Sequence, residues 1–504
     1  MNENWDFDYA QERQNPWQNA RPMPERQMHS RTKIVATLGP STDNIEVLTD
    51  MVRAGLDVAR VNFSHGKQEE HGRRIDMVHE AARRAGRYVG ILADLGGPKI
   101  RIESFTNKKV DLKEGQAFAL DTAHDVNAGN EEVVGCAYQD LPKDVKPGNI
   151  LLLNDGLIEL EVTKVAGTRI DTKVIAGGEL SNRKGVNLRG GGISAPALSE
   201  KDREDIKFAA SKGADYIAVS FARDAADMNL ARSLLRLAGG HGHVCAKIER
   251  HEAIKNLVEI IEASDVLMVA RGDLAVEMGY AAITGLQKTI IHESRTRNKV
   301  VITATQMMES MINAPVPTRA EVSDVSNAVL DGTDAVMLSA ESAVGKYPVK
   351  AVQAMEEVIN GAEKYQLTTS RVRHRVDGVV DRTEEAIAMA VMYTANHMKV
   401  RAIVALTETG TTPLWMSRSR ADIPIYAFTR HESTRRRVTL YRGVYPVPFD
   451  IPEVRTQELF RAILTMMLQL DLVEPGEMVI VTKGELTGIT GGTNAMTILR
   501  VPKD

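Results

Sequence analysis

Two short apolar runs in the middle of the chain, Val244–Cys245 and Val266–Ala270, each end in charge: Lys247 and Glu249 after the first, Arg271 and Asp273 after the second. Side chains on a strand alternate between faces, so Lys247 is expected to share a face with Glu249, and Arg271 with Asp273. If the two strands are parallel neighbours joined by the helix-like stretch between them, an ammonium and two carboxylates meet at their C-terminal ends. Carboxylate oxygens are the ligands a hard divalent cation takes, and a lysine beside that ion suits the handling of phosphate. Taken singly, Lys247 and Glu249 read more readily as an ordinary surface ion pair. Their place at a strand end is what favours chemistry.

Such groups need a frame that gathers strand ends. From Thr32 onward, eight β-branched runs alternate with amphipathic, helix-length segments: Thr32–Gly39, Val58–Ser64, Val89–Leu95, Tyr216–Phe221, Val244–Glu249, Val266–Gly272, Val300–Thr305 and Ala335–Ser339. Repeated strand-then-helix units with strands apolar on both faces predict an α/β fold, a (β/α)8 TIM barrel, whose working side chains collect where strands end. Polar residues fall there in this chain. Arg60, Asn62 and Ser64 close the second run on one face, Asp94 closes the third, Thr305 the seventh and Ser339 the eighth.

Between Asp94 and a helix starting near Ser199 the texture changes. β-like segments at Asn149–Asn154, Leu157–Thr163 and Arg169–Ala176, separated by Gly, Asp and Asn, predict a small all-β domain inserted after the third strand. Gly96-Gly97-Pro98 leads into it and Gly190-Gly191-Gly192 leads out, and glycine at both joints suits a hinged lid that expels water. Beyond a helix near Tyr347–Lys364 and a charged link through Arg371–Arg375, the runs Ala402–Thr407, Pro424–Thr429, Val444–Phe449, Met478–Lys483 and Met496–Val501 predict a C-terminal doubly wound α/β domain. The expected division is a disordered N-terminal arm over 1–30, a barrel over 31–97 and 198–368, an inserted β-barrel lid over 98–197 and the C-terminal α/β domain over 369–504.

Composition narrows the function classes. A chain of 504 residues has room for a large core and several domains. Its 63 basic against 67 acidic residues, a net charge of -4, argue against a general nucleic-acid binder while leaving room for local phosphate pockets. No apolar run approaches the roughly 18 residues needed to span a bilayer, and the polar N-terminus lacks the apolar centre of a signal peptide. Cys136 and Cys245 form no CxxC pair, so a reducing cytoplasm is the simple expectation. Neither GxxxxGK[ST] nor HExxH is present. A nucleotide would therefore be held by barrel and lid residues.

The motifs also occur in a familiar order. Thr37-Leu38-Gly39-Pro40, Arg60-Val61-Asn62-Phe63-Ser64-His65-Gly66, Gly97-Pro98-Lys99-Ile100-Arg101, Lys184-Gly185-Val186-Asn187, Lys247-Ile248-Glu249, Ala270-Arg271-Gly272-Asp273-Leu274, Ile302-Thr303-Ala304-Thr305-Gln306-Met307-Met308-Glu309-Ser310 and Met337-Leu338-Ser339 follow one another as they do in pyruvate kinases. The chain resembles that family from about Thr32 to its C-terminus. The resemblance implies transfer of a phosphoryl group from phosphoenolpyruvate to ADP, giving pyruvate and ATP at the last step of glycolysis, in a cytoplasmic homotetramer regulated through its last domain. By the same resemblance Lys247 stabilises the phosphoryl group in flight, and Glu249 and Asp273 hold Mg²⁺ (or Mn²⁺). The backbone of Arg271 and Gly272, with Thr305, forms the substrate carboxylate pocket. Arg60 and Arg101 match arginines that contact phosphates, and Lys184 matches the lid lysine that reaches the nucleotide. Thr305 and Ser339 lie near the route that protonates the enolate, and either group or a water fits that role.

One departure bears on cofactors. Members that need K⁺ place a carboxylate where this chain has Lys99 and a threonine where it has Leu95, while Asn62, Ser64 and Asp94 of that pocket are kept. A fixed ammonium at Lys99 can supply the missing positive charge, so activity without K⁺ is expected. The family's effector loop matches Thr407-Glu408-Thr409-Gly410-Thr411-Thr412, whose hydroxyls and backbone donors suit a phosphorylated effector although the Glu408 carboxylate opposes it. A sugar monophosphate or AMP is expected ahead of fructose 1,6-bisphosphate. Two other readings use the same residues: a metal-dependent, aldolase-like lyase acting through a pyruvate enolate, and a non-catalytic metabolite sensor. The lid Lys184 and the Lys247 ammonium speak against the first, and the intact Lys247, Glu249, Asp273 and Thr305 against the second. Neither nucleic acid nor membrane is an expected partner.

Overall fold

In the computed structural model, which describes residues 30–98, 100–369, 380, 382–419, 422–450, 455–484 and 492–503, eight parallel strands close into a barrel. They are Lys33–Thr37, Leu56–Asn62, Gly90–Asp94, Tyr216–Val219, His243–Ile248, Val266–Ala270, Val300–Ala304 and Ala335–Leu338. Each strand overlaps one of the eight expected runs, the second starting two residues early at Leu56, and Lys33 of the first pairs with Ala335 of the last to close the ring. Both faces of these strands are buried. Ile34 and Ala36 pack outward among the helices, whereas Val35 packs with Val58, Leu92, Cys245 and Met268 in the lumen. Burying each such aliphatic side chain contributes about 1.5–3 kcal/mol, which explains why the strands read as unbroken apolar runs.

Aspartates begin the even strands. Asp57, Asp215, Asp265 and Asp334 accept hydrogen bonds from the backbone N–H groups of Ile34, Ile91, Val244 and Val301 in the preceding odd strands, at 3.0, 2.9, 2.9 and 2.9 Å. Each carboxylate also has an arginine: Arg87 at 3.1 Å, Arg436 at 3.2 Å, Arg232 at 2.7 Å and Arg418 at 2.9 Å. This ring pins the register at the bottom of the barrel. A slip by one residue would bury four unpaired carboxylates.

The insert after the third strand has its own core, which includes Phe118, Leu120, Leu151, Leu160 and Ile170. Its main sheet runs Val186–Leu188, Ile150–Leu153, Ile158–Ala166, Arg169–Ala176, Ala117–Asp121 and Val133–Gly135, with a two-stranded ribbon of Lys109–Leu112 and Gly178–Ser181 beside it. The two outer strands are linked by the segment 100–103, where the Ile102 N–H donates to Lys184 O at 3.0 Å on one side and the Glu103 N–H donates to Gly135 O at 2.8 Å on the other. The exit takes φ values of 82°, 79° and 109° at Gly190, Gly191 and Gly192, a left-handed path that glycine alone follows without strain. Ser199 then opens the next helix, Glu200–Ser211, with a reciprocal capping box to Asp202.

The C-terminal sheet has the order Val444–Pro448, Ile425–Thr429, Ala402–Leu406, Met478–Gly484 and Thr493–Arg500, parallel except for the last strand. Val438, Leu440, Tyr441 and Val444 of this domain belong to the same apolar cluster as the barrel lumen. The domain therefore plugs the barrel from below. Ser30 is buried, and its backbone N–H donates to Glu356 at 2.7 Å. The remainder of the expected N-terminal arm, the Arg371–Arg375 link and Lys99 lie outside the described residues. No helix among the described residues is long and apolar enough to cross a membrane.

Candidate active site

At the upper mouth of the barrel the strand ends bring five ionic side chains together. Lys247 Nζ lies 2.8 Å from Glu249 Oε1 and 3.4 Å from Asp94 Oδ1, and donates to Ser220 Oγ at 2.7 Å. Arg60 donates from Nε to Asp94 Oδ2 at 2.7 Å and from a terminal nitrogen to Thr37 Oγ1 at 2.9 Å. Burial lowers the pKa of Lys247, but Asp94 and Glu249 more than offset that cost and raise it above the usual lysine value. The same balance operates on Asp94: burial pushes it up, while Lys247 and then Arg60 pull it below the usual carboxylate range. Lys247 is thus a permanent ammonium inside the lumen.

Glu249, only 1% exposed, accepts the Phe221 N–H through Oε2 at 2.7 Å, and its Oε1 has no well-formed hydrogen bond among the described residues. Asp273 stands against it. Burial first, and then the adjacent Glu249, push the Asp273 carboxyl up to about 7. Two crowded buried carboxylates are an unfavourable arrangement unless cations join them; Lys247 meets Oε1 of Glu249, and the hard oxygens of the pair fit Mg²⁺ or Mn²⁺ beside it. Among the described residues no group of three or more His, Cys, Asp and Glu gathers in this way. The chain would supply two ligands, leaving the others to substrate oxygens and water, as Mg²⁺ commonly requires.

The route by which Asp273 arrives differs from the expected one. The sixth strand ends at Ala270, and Arg271–Met278 is a helix. Positions two apart on a helix do not share a face, so Arg271 and Asp273 diverge rather than pointing the same way. Asp273 turns to Glu249, while the Arg271 guanidinium bonds Ala304 O at 3.2 Å, Thr305 O at 2.8 Å and Asp324 Oδ1 at 2.7 Å. This clamp supports Thr305 at φ 67°, a conformation rare for a β-branched residue. The Gly272 N–H donates to the Thr305 hydroxyl at 2.9 Å, and that hydroxyl donates to Ala304 O at 2.7 Å, so the turn after the sixth strand is tied to the end of the seventh.

Ser339 tops the eighth strand, and its backbone N–H donates to Glu341 Oε2 at 2.7 Å; the other oxygen of Glu341 takes the Met308 N–H at 3.0 Å. Asn62 Oδ1 accepts the Ser64 N–H at 3.1 Å, and Leu95 is fully buried. Arg101 and Lys184 lie next to each other on the insert, where Arg101 bridges Gly185 and the Ile102 N–H donates to Lys184 O at 3.0 Å. They belong to the insert, whose exit is tied to the barrel by Arg223 donating to Ser194 O at 3.0 Å and Arg250 donating to Ile193 O at 3.2 Å. Ser220 and the Phe221 N–H escaped the sequence reading. The rule that polar groups at strand ends do the work, applied to Val219-Ser220-Phe221, would have found them.

The effector-loop residues lie in the other domain. Gly410 takes φ 86°, and its N–H donates to Thr407 Oγ1 at 2.9 Å. Thr409 and Thr411 share a hydrogen bond of 2.8 Å, and Thr412 bonds Thr493 at 2.7 Å. Glu408 is answered by Arg430 at 3.3 Å and by a His431 contact.

Comparison with known proteins agrees with this architecture. The family model "Pyruvate kinase, barrel domain" matches residues 29–352, and "Pyruvate kinase, alpha/beta domain" matches residues 385–499. The chain belongs to the pyruvate kinase family. It is 50% identical over 475 residues to pyruvate kinase II of Salmonella typhimurium, covering 94% of this chain and 98% of that one. It is also 49% identical over 475 residues to a pyruvate kinase of Buchnera aphidicola subsp. Baizongia pistaciae (94% and 99%), and 50% identical over 458 residues to that of Haemophilus influenzae (90% and 95%). The family places the protein among phosphotransferases.

Proposed function

We infer that the protein transfers the phosphoryl group of phosphoenolpyruvate to ADP, giving pyruvate and ATP. The buried Lys247–Glu249–Asp273 cluster at the barrel mouth is the observation that carries this reading. Phosphoryl transfer spreads charge over the equatorial oxygens, so catalysis rests on positioned cations. Arg60, steadied by Asp94 and Thr37, and Lys247, steadied by Ser220, present two of them. Bound Mg²⁺ or Mn²⁺, held by Glu249 and Asp273, would withdraw charge from phosphoryl and enolate oxygens. The Gly272 N–H and the Thr305 hydroxyl receive the substrate carboxylate. Lys247 stays charged and stabilises rather than donates a proton, so the enolate proton comes through the Thr305 and Ser339 side of the site. Arg101 and Lys184 reach the nucleotide from the lid, over the division into 31–97 with 198–368, 98–197 and 369–504. A coupled assay decides: pyruvate formed only with ADP and divalent metal together supports the reading, while pyruvate released without ADP favours the lyase and no turnover the sensor.

The reaction runs without K⁺. Asp94 already faces two cations, Arg60 at 2.7 Å and Lys247 at 3.4 Å, and the pocket offers the apolar Leu95 in place of a hydroxyl. Turnover in buffer free of K⁺ and Na⁺ is therefore expected to match turnover with K⁺; strong saturable K⁺ activation would overturn this. The Thr407–Thr412 loop takes a phosphorylated activator, a sugar monophosphate or AMP before fructose 1,6-bisphosphate. Arg430 and His431, which hold the opposing Glu408, support that reading. Kinetics unchanged across such a panel would remove it. A cytoplasmic homotetramer completes the proposal.

A further inference from the structure

The helix Glu432–Val438 of the C-terminal domain ends directly beneath the barrel. Arg436 Nε lies 3.2 Å from Asp215 Oδ2, the oxygen that also accepts the Ile91 N–H of the third strand at 2.9 Å. Arg437 O accepts the Tyr216 hydroxyl at 2.5 Å, and the Arg437 guanidinium donates to His241 O at 3.1 Å. A Cβ on Gly90, the first residue of the third strand, would come within 3.0 Å of Arg436 O. One helix end thus touches the bottoms of the third and fourth strands and the turn into the fifth. Asp215 is 3% exposed, and burial keeps its carboxyl raised even with Arg436 beside it. Without that guanidinium the carboxylate loses its ion-pair partner, and only the field of Arg437 remains to offset its charge.

The tops of the same two strands hold the reactive pair. Asp94, from the third, and Ser220, from the fourth, take the Lys247 ammonium. Phe221, next along, donates its N–H to Glu249, and Ser220 in turn donates to Leu95 O at 2.8 Å. The fourth strand has only four residues, all buried, so bottom and top are separated by about 13 Å of close-packed backbone that transmits a displacement instead of absorbing it. We propose that Arg436 is a positioning residue for Lys247 and Glu249: from the C-terminal domain it sets, through Asp215 and the third and fourth strands, where the ammonium and the carboxylate stand. The proposal rests on the reading of that pair as the phosphoryl-transfer groups.

The test compares Arg436→Gln, Arg436→Lys and Tyr216→Phe with the wild type, by steady-state kinetics and by amide hydrogen exchange. Arg436→Gln is expected to lower kcat about 10- to 100-fold, the scale of a misplacement near 1 Å, and to speed exchange at the Phe221 amide while leaving Ile302 on the seventh strand unchanged. Arg436→Lys should recover most of both, and Tyr216→Phe, a mild change that keeps the fold, should shift both in the same direction by less. Unchanged kcat and unchanged Phe221 exchange would overturn the proposal, as would exchange accelerated equally in all eight strands. The exchange readout needs no turnover. Wild-type protein that transfers no phosphoryl group would sink the functional reading, while Phe221 exchange would still decide the role of Arg436.

Discussion

Lys247 is a cation retained inside a lumen, and its partners show why that is tolerated. Its side chain is 12% exposed, and three oxygens, from Asp94, Ser220 and Glu249, surround the ammonium. A fixed charge in a poorly hydrated site stabilises developing negative charge more than it would in water, and it needs no reorganisation during reaction. Replacing it, Lys247→Met, is expected to lower kcat by about 10³-fold or more. Glu249 and Asp273 remain, so Mn²⁺ binding followed by electron paramagnetic resonance should persist. Near-normal turnover, or loss of the metal together with the activity, would contradict the role given to Lys247. Thr305 shows the other device at this scale. Its φ of 67° carries strain of order 1–3 kcal/mol, offset by the Arg271 clamp on its carbonyl.

Among the elements, the fifth strand links the site to the floor. It starts at His243 and ends beside the site residues Lys247 and Glu249. Burial pushes His243 down to about 4; Asp265 opposes the shift, and Arg437, Arg232 and Arg236 reinforce it. In the unfolded chain the imidazole protonates near the ordinary value of about 6.5. Between those values the unfolded state binds the extra proton, so stability falls as the pH drops from about 6.5 towards about 4, by of order 3 kcal/mol. Urea melts at steps from pH 7 to pH 4.5 should show that slope, and His243→Gln should flatten it. An equal slope in the variant would assign the loss to other groups. The helix Arg271–Met278 teaches a different lesson about elements. It delivers Asp273 to the carboxylate pair and sends Arg271 away to brace the seventh strand, two tasks that one strand face could not divide.

Across the whole molecule, the C-terminal domain is the floor of the catalytic barrel. Two of the four aspartates under the strands, Asp57 and Asp265, are paired by Arg87 and Arg232 of the barrel itself. The other two, Asp215 and Asp334, take Arg436 and Arg418 from the domain below. Arg418 and Asp334 are each 3% exposed, and Arg418 also donates to Lys299 O at 2.6 Å. Breaking a buried pair leaves an uncompensated charge, so Arg418→Met is expected to cost about 3–5 kcal/mol. A lower urea midpoint, with barrel and C-terminal domain melting together, would bear this out. An unchanged midpoint would show that the two domains are stabilised independently.

Much of this was legible along the chain. Fully buried parallel strands leave continuous apolar runs, so all eight barrel strands could be read off, and the two-residue alternation placed Lys247 beside Glu249. The aspartates that open the even strands, in LDVARV, ADYIAV, SDVLMV and TDAVML, went unread along the chain. Their meaning depends on partners such as Arg436, 221 residues from Asp215, and Arg418, 84 residues from Asp334. The same holds for Asp273, whose approach to Glu249 required a helix where the pattern read as strand. Local patterns record which face of an element is buried, because burial acts residue by residue. Which faces then meet, and which charges compensate one another, is settled by packing between segments far apart in the chain, for which no periodicity exists.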